Sequence, residues 1–131
     1  MNTLLAATIA AHTVITGVPS RVYDGDTITI NRQSVRLFGI DAPELKEPYG
    51  FPARDYLRAL VKGVEVSCTL TGKTTYQRVV ARCYLPSGLE INQLMVEGGV
   101  ALDCRGYSKG IYHNFEPSWA RARLMNKGYC K

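Results

Sequence analysis

Three short segments carry side chains of the kinds that bind cations and phosphates. They are Tyr23–Thr27 (YDGDT), Arg36–Glu44 (RLFGIDAPE) and Tyr76–Arg78 (YQR). Asp26, Asp41 and Glu44 offer carboxylate oxygens, which Ca²⁺ prefers together with carbonyl and water oxygens. Gly25 permits a tight backbone, and Pro43 restricts the direction in which the chain leaves Asp41. The segments therefore predict a cation site.

The distribution of charge leaves two interpretations of this acidic region open. The chain has 131 residues, with 16 Lys and Arg against 11 Asp and Glu, for a net charge of +5. A basic domain is compatible with a polyanionic partner. Carboxylates concentrated between Asp24 and Glu47 could build a cation site inside this positive field, or could be a pair of acidic loops in water.

Arg36 lies in a segment that is predicted to be a strand. Side chains alternate along a strand, so Arg36, Phe38 and Ile40 are expected on one side. An arginine among core-type neighbours is costly unless it faces an anion, which makes Arg36 a candidate phosphate ligand. The alternative is that Arg36 pairs with one of the aspartates.

The order of these motifs resembles the thermonuclease family, the staphylococcal-nuclease-like domains. DGDT, then RLFGIDAPE, then YQR follow one another as in that family, and the resemblance extends from about Ile15 to the last predicted helix. It implies an OB-fold nuclease that cleaves phosphodiester bonds of DNA, RNA or both with Ca²⁺. The family typically leaves 3′-phosphate ends.

The resemblance also implies roles for four acidic-loop positions. Asp26 and Asp41 match the calcium carboxylates, and Ala42 matches the residue whose backbone carbonyl binds the ion. Glu44 matches the acid that positions or deprotonates the attacking water. Phosphodiester attack needs an activated water and relief of charge on the phosphoryl oxygens, which a carboxylate and a divalent cation can supply.

The remaining family positions concern the phosphate and the nucleotide. Arg36 and Arg78 match the two arginines that hold the scissile phosphate, and a planar guanidinium can hold two of its oxygens. Tyr76 and Tyr107 match aromatic positions that line the nucleotide pocket. The family pattern D-x-Y-G-R is replaced by TTYQR, which affects the substrate contacts; Lys73 either substitutes there or is a solvated loop lysine.

The pattern of apolar residues predicts an α+β fold of one domain, residues 12–131: a five-stranded OB-fold β-barrel with three helices packed at its side. Closure of a barrel removes most exposed strand edges. A brief additional strand is expected at Val100–Leu102. The predicted strands are His12–Val18, Arg21–Ile30, Ser34–Ile40, Val64–Leu70 and Arg78–Leu85, and the predicted helices are Pro52–Lys62, Ile91–Glu97 and Pro117–Lys127.

The four cysteines lack the C-x-x-C spacing typical of zinc sites. In two consecutive predicted strands, Cys68 and Cys83 each fall on the same side as the core-type residues, so we predict a disulfide between them. We predict a second disulfide between Cys104 and Cys130, which would hold the C-terminal segment. The alternative is four buried free thiols. Disulfides would indicate an oxidising compartment, and hence a periplasmic or secreted protein.

The two ends of the chain are less specific. Residues 1–11 are apolar and resemble the end of a signal peptide, or form a loosely packed leader. Arg121, Arg123 and Lys127 are interpreted as a solvated helix face, with nonspecific attraction to phosphates as the alternative. No apolar run is long enough to span a bilayer, and a monomer is expected.

Three functions remain open at this point. The first is the Ca²⁺-dependent nuclease implied by the resemblance. The second is an OB-fold module that binds nucleic acid without cleaving it, because such barrels often serve only as binding platforms. The third is a small structural or interaction domain held by disulfides. The presence of Arg36, Glu44 and Arg78 together favours the nuclease, since a binding module has no need of all three.

Overall fold

A computed structural model of the chain describes residues 13–131, and its architecture is of the predicted α+β class. Six strands form one sheet in the order β1-β6-β7-β4-β3-β2, and β5 and β8 form a separate pair. The strands are β1 (Val14–Gly17), β2 (Arg21–Asp24), β3 (Thr27–Ile30), β4 (Gln33–Leu37), β5 (Ile40–Asp41), β6 (Val66–Thr75), β7 (Arg78–Tyr84) and β8 (Leu102–Asp103).

Among the described residues there are also four short helices and two 3₁₀ turns. The helices are α1 (Gly50–Val61), α2 (Ile91–Glu97), α3 (Arg105–Ser108) and α4 (Ala120–Arg123), and the 3₁₀ turns are His113–Phe115 and Gly128–Cys130. Within the described part of the chain, no helix is long and apolar enough to cross a bilayer. The candidate leader, residues 1–11, and His12 lie outside the described residues.

The predicted single strand Arg21–Ile30 is wrong, because this run is a hairpin. Strands β2 and β3 pair antiparallel around a turn at Gly25-Asp26, with a register shift beside it. The carboxylate of Asp24 accepts the backbone N–H of Asp26 at 3.0 Å, which stabilises the turn. The main sheet therefore has six strands rather than five.

The predicted closed barrel is also not observed. The sheet has β1 and β2 as its outer strands, and no pairing joins them among residues 13–131. The free edge of β1 nevertheless approaches the β3–β4 turn, where the Asn31 side-chain amide donates to the carbonyl of Thr16 at 3.1 Å. The sheet is OB-like in curling toward its own edge, without a continuous ladder around it.

The hydrophobic core joins the sheet to α1 and α2. Ile28 and Val35 from the sheet, Leu57 from α1 and Met95 from α2 are completely buried in one cluster. The first helix buries Ala53, Leu57 and Val61 at the spacing of an apolar helix face, whereas Tyr56 is exposed. Burial of this face places the N-terminal end of α1, and the loop before it, beside the acidic segments.

The last predicted helix is much shorter than the expected Pro117–Lys127. Only α4 is helical, and from Leu124 the backbone is extended. Two tertiary contacts hold this extended segment: the backbone N–H of Lys127 donates to the buried carboxylate of Asp41 at 2.8 Å, and Cys130 is bonded to Cys104. These contacts outweigh the local helix preference, because a buried carboxylate without partners is costly.

Both predicted cysteine pairs are disulfides. Cys68 and Cys83 face each other across the β6–β7 ladder, as their shared parity predicts. The Cys104–Cys130 bond joins residues that are 26 positions apart in sequence, and it fixes the C-terminal segment to the start of α3. Within residues 13–131 no cysteine is free.

A buried amide ties the sheet to the loop that follows β4. The fully buried side chain of Asn92 accepts the N–H of Cys83 at 3.0 Å and donates to the carbonyls of Phe38 at 2.9 Å and Ala81 at 3.2 Å. These bonds anchor the end of β4 to β7. Asn92 therefore positions the segment that leads to Asp41.

We predict that Asn92→Ala lowers the free energy of unfolding by about 2 kcal/mol, because it removes three hydrogen bonds made by a buried amide. Chemical denaturation of the oxidised protein measures this. Gln93→Ala, which removes only an exposed hydrogen bond to Glu97, is the matched control and should change stability by less than about 0.5 kcal/mol. Equal effects of the two substitutions would contradict the anchoring role of Asn92.

Candidate active site

An open cleft of about 780 Å³ brings the three sequence segments together. Eight of the predicted site residues line it: Asp26, Arg36, Ala42, Glu44, Lys73, Tyr76, Arg78 and Tyr107. Asp41, the remaining predicted cation ligand, lies beneath the surface with its side chain 1% exposed. Both arginines thus share one cavity with the acidic segments.

Strand pairing explains how separate segments meet in this cleft. Thr27, the residue after Asp26, lies opposite Arg36 in the antiparallel β3–β4 ladder. This pairing brings Asp26 close to Arg36. Strand β4 in turn runs parallel to β7, with Arg36 opposite Val80, and the side chain of Arg78 at the start of β7 reaches Thr27, whose hydroxyl accepts from its guanidinium at 3.0 Å. The cleft therefore follows from sheet topology rather than from proximity in sequence.

Gly39 redirects the chain between Arg36 and Asp41. Its φ of +74° is in the left-handed region, which favours glycine, and a Cβ there would collide with Tyr112. The alternation predicted through Ile40 is therefore interrupted, because β4 ends at Leu37 and the fully buried Ile40 belongs to β5. After this turn β5 pairs with β8, which carries Asp41 into the interior.

Arg36 pairs with an aspartate and also lines the cleft, so the two interpretations of this residue are compatible. Its Nη2 lies 3.4 Å from an Asp26 oxygen, and its guanidinium donates to the carbonyls of Leu37 at 2.7 Å and Ile40 at 3.0 Å. Burial acts to lower the pKa of Arg36, but the charge of Asp26 together with the influence of Tyr129 and Asp41 outweighs it, and the pKa is raised. The guanidinium is therefore a fixed, permanently charged group.

Asp24 is a cleft residue to which the sequence interpretation gave no role. Burial, followed by the negative charge of Asp26, raises the pKa of Asp24 to about 7. Ionisation of Asp24 beside the charge of Asp26 is therefore unfavourable, and a bound cation would offset that cost. Asp24 stands in the same YDGDT segment, and its two-residue spacing from Asp26 was the available signal.

Arg78 has fewer internal partners than Arg36. It donates to the carbonyl of Thr75 at 3.2 Å and to the hydroxyl of Thr27 at 3.0 Å, and it forms no salt bridge with any described carboxylate. Its guanidinium carbon lies 6.0 Å from the ring centroid of Tyr76, which is 91% exposed. The positive charge of Arg78 is thus available to an anionic ligand.

The two residues of the turn before Arg78 have the left-handed backbone conformation that favours glycine. Tyr76 and Gln77 have φ values of +49° and +65°, as in a two-residue hairpin turn. Gln77 takes the left-handed conformation where the family pattern has Gly. The substitution in TTYQR therefore leaves the turn in place, and the position of Arg78 at the start of β7 is retained.

The backbone around Glu44 is held by its own loop. The N–H of Glu44 donates to the Glu47 carboxylate at 2.7 Å, and its carbonyl accepts the N–H of Glu47 at 2.9 Å. Gly50 packs directly against the same carbonyl, where a Cβ would have no room. The exposed side chain of Glu44 is consequently presented to the cleft from a constrained backbone.

Two cleft residues that sequence reasoning missed come from the C-terminal segment. The ammonium of Lys127 lies 3.2 Å from Asp41 Oδ1 and 3.3 Å from the carbonyl oxygen of Ala42. Tyr129 lines the cleft, hydrogen-bonds with Arg36 and contacts the ring of Tyr107 at a centroid distance of 6.3 Å. The interpretation of Lys127 as part of a solvated helix face is wrong, because α4 ends before it.

The other two basic residues of that predicted face have separate partners. Arg121 forms an ion pair with Glu116 at 2.9 Å. Arg123 lies over the rings of Tyr49 and Trp119, at 5.1 and 4.6 Å from their centroids. Neither lines the cleft. The nearby Cys130 was the only sequence signal that this segment would return to the body of the domain.

Two oxygens near Asp41 already contact one positively charged group, the Lys127 ammonium, and oxygens of this kind are the ligands that Ca²⁺ prefers. The carboxylate of Asp41 and the carbonyl of Ala42 converge on the Lys127 ammonium, and Asp26 is joined to Ala42 because its Oδ2 accepts the Ala42 N–H at 3.0 Å. Among residues 13–131 no group of three or more His, Cys, Asp or Glu side chains is arranged to hold a metal. A cation there would therefore depend on the Ala42 carbonyl and on water as well.

A cleft that combines two guanidinium groups with clustered oxygen ligands is typical of proteins that act on phosphate esters with a cation. Residues 34–128 match the family described as Staphylococcal nuclease homologue. The chain belongs to this family, as its motifs predict.

Individual relatives agree with this assignment. A protein named Micrococcal nuclease from Shigella flexneri is 36% identical over 144 residues, which cover 92% of this chain and 83% of the relative. A protein named Uncharacterized endonuclease from Escherichia coli is 42% identical over 85 residues, which cover 62% of this chain and 56% of the relative. Staphylococcal-like nuclease CAN1 from Arabidopsis thaliana is 30% identical over 87 residues, 66% of this chain and 27% of the relative. The chain thus spans little more than half of the E. coli protein.

We predict that Gly50→Ala lowers the free energy of unfolding by about 1–3 kcal/mol, because the added methyl group displaces the backbone carbonyl of Glu44. Thermal or chemical denaturation measures the change. Gly128→Ala is the control, since a Cβ at Gly128 meets open space and its backbone is not left-handed. If Gly50→Ala were as stable as Gly128→Ala, the loop would not depend on this close approach.

Proposed function

We propose that this protein is a Ca²⁺-dependent nuclease that hydrolyses phosphodiester bonds of DNA, RNA or both. The observation that carries the proposal is the shared cleft, which Arg36, Arg78 and Glu44 line together with Asp26 and Ala42, next to the buried Asp41. Family membership and the printed names of the relatives support the same reaction class.

Asp26, Asp41 and the backbone carbonyl of Ala42 would hold the cation in this proposal. When bound, Ca²⁺ supplies positive charge that stabilises the developing charge on the phosphoryl oxygens and on the attacking water. The hydrogen bond from the Ala42 N–H to the Asp26 carboxylate fixes Asp26 and Ala42 relative to each other before an ion binds. Such preorganisation reduces the structural change needed at the reaction step.

Glu44 acts as the general base in this scheme. Its exposed carboxylate takes a proton from a water molecule as the water oxygen bonds to phosphorus. The bond between phosphorus and the 5′ oxygen breaks, and that oxygen acquires a proton from solvent to become a hydroxyl group. The products are a 3′-phosphate end and a 5′-hydroxyl end.

Arg36 and Arg78 hold the scissile phosphate. Arg36 is fixed by two backbone carbonyls and Asp26, so its charge needs little reorganisation. Arg78 has no carboxylate partner in the described chain, so a phosphate can use its full charge. Two guanidinium forks on one phosphate give both charge and orientation.

Tyr76, Tyr107 and Lys73 are assigned to the nucleotide around the reacting phosphate. All three line the cleft. The exposed ring of Tyr76 offers a surface for a base, because aromatic side chains stack on every base type. Lys73, on the β6 strand before this turn, adds positive charge for a neighbouring phosphate.

The two disulfides support an extracytoplasmic location, and we propose a periplasmic or secreted protein that acts as a monomer. Disulfides persist in oxidising compartments and are rare in the reducing cytosol.

Purified, oxidised protein should degrade single-stranded DNA or RNA with added Ca²⁺, and EGTA should abolish this degradation. Glu44→Gln should lower the rate by about 100-fold or more, because the general base is lost. Glu65→Gln removes an exposed carboxylate outside the cleft and should leave the rate unchanged. Salt-sensitive binding without cleavage at any divalent concentration would instead favour the nucleic-acid-binding module.

Arg78→Ala should lower kcat by about 100–1000-fold, the range typical for loss of one transition-state contact. Steady-state cleavage of a defined oligonucleotide measures this. Arg58→Ala, which removes a guanidinium from the exposed face of α1, is the matched control and should retain full activity. Wild-type kcat in Arg78→Ala would remove this residue from the transition state.

A further inference from the structure

The Lys127 side chain occupies the place that the proposed function assigns to a cation. Its Nζ lies 3.2 Å from Asp41 Oδ1, 3.3 Å from the Ala42 carbonyl oxygen and 3.1 Å from Glu47 Oε1. The side chain of Asp41 is only 1% exposed, so its contact with the ammonium is shielded from bulk water. The ammonium thus makes the ionic contacts that a bound metal ion would otherwise make with Asp41 and Ala42.

The surrounding segment is held independently of the ammonium. The backbone N–H of Lys127 and the side-chain amide of Asn126 both donate to Asp41 Oδ2, at 2.8 and 3.2 Å. The Cys104–Cys130 disulfide fixes the chain three residues further on. The two oxygens of Asp41 therefore have different partners: Oδ2 binds the backbone and the amide, and Oδ1 binds the ammonium.

We propose that Lys127 is a tethered cation that competes with Ca²⁺ for Asp41 Oδ1 and the Ala42 carbonyl. This inference rests on the cation site of the proposed function and adds a residue that regulates its occupancy. An ammonium and a divalent ion cannot share the same two oxygens. Because the disulfide and Asp41 Oδ2 hold the segment in place, the ammonium competes at a high effective concentration.

The same arrangement stabilises the protein before the metal binds. A buried carboxylate without a cationic partner destabilises a fold, and Lys127 compensates Asp41 in the metal-free state. Metal binding then requires only that the side chain swing away, since the Oδ2 contacts of the segment can remain. Glu47, whose side chain is 40% exposed, offers the displaced ammonium a partner at the rim of the cleft.

Calorimetric titration of Ca²⁺ into the full-length, oxidised protein without nucleic acid tests the competition. Lys127→Met should bind Ca²⁺ about tenfold more tightly than the wild type, a coupling in the range usual between two linked sites. Its metal-free Tm should be lower, and its gain in Tm with Ca²⁺ larger. Lys127→Arg retains the charge and should keep the weak affinity.

Lys62→Met is the matched control, because it removes the same charge from the exposed end of α1 and should leave Ca²⁺ affinity unchanged. If Lys127→Met does not fold, Lys127→Gln tests the same competition with a side chain that keeps hydrogen-bonding capacity. Ca²⁺ affinity in the neutral variant that is unchanged within about twofold, weaker or undetectable would overturn the inference.

The titration does not depend on cleavage, so the two proposals fail separately. Tighter Ca²⁺ binding in Lys127→Met without cleavage of any nucleic acid would support the competition and defeat the nuclease. Ca²⁺-dependent cleavage with equal affinities in wild type and Lys127→Met would support the nuclease and defeat the competition.

Discussion

The buried carboxylates of Asp26 and Asp41 impose the constraint on which the rest of this structure depends. Each is nearly shielded from water, so each must have positive or hydrogen-bonding partners inside the protein. Asp26 is compensated by Arg36 and the Ala42 N–H, and Asp41 by the C-terminal segment around Lys127. Segments far apart in sequence meet in the cleft because these two charges require them.

Contacts in the scaffold fix the loops around the cleft and so offset the electrostatic repulsion between their carboxylates. Asn92 ties the end of β4 to β7, Gly39 turns the chain into β5, and Gly50 lets the Glu44 loop close on itself. The Cys104–Cys130 disulfide secures the C-terminal segment, which follows the four-residue helix α4. Functional groups on loops thus obtain fixed positions from a rigid sheet, which is the usual division between loops and scaffold.

The cleft combines charges of both signs, and this mixture suits a reaction on a polyanion. Fixed guanidinium groups attract a phosphate backbone, while the carboxylates keep a place for a second kind of cation. Lys127 contacts Asp41, and Arg36 partly neutralises Asp26. These charges are therefore largely compensated within the protein.

Local sequence determined much of this protein. The three motifs, the apolar face of α1, the helix Ile91–Glu97 and the Cys68–Cys83 parity all follow from spacing over a few residues, and each has its expected counterpart in the structure. These features were predictable because periodicity and side-chain chemistry act within one element.

Tertiary structure alone decided the remaining features. The shortened α4 depends on Asp41, 86 residues away from Lys127. Local preference favoured a longer helix there. Long-range satisfaction of buried charge outweighed that preference, and no pattern within the C-terminal segment reveals which carboxylate it will meet.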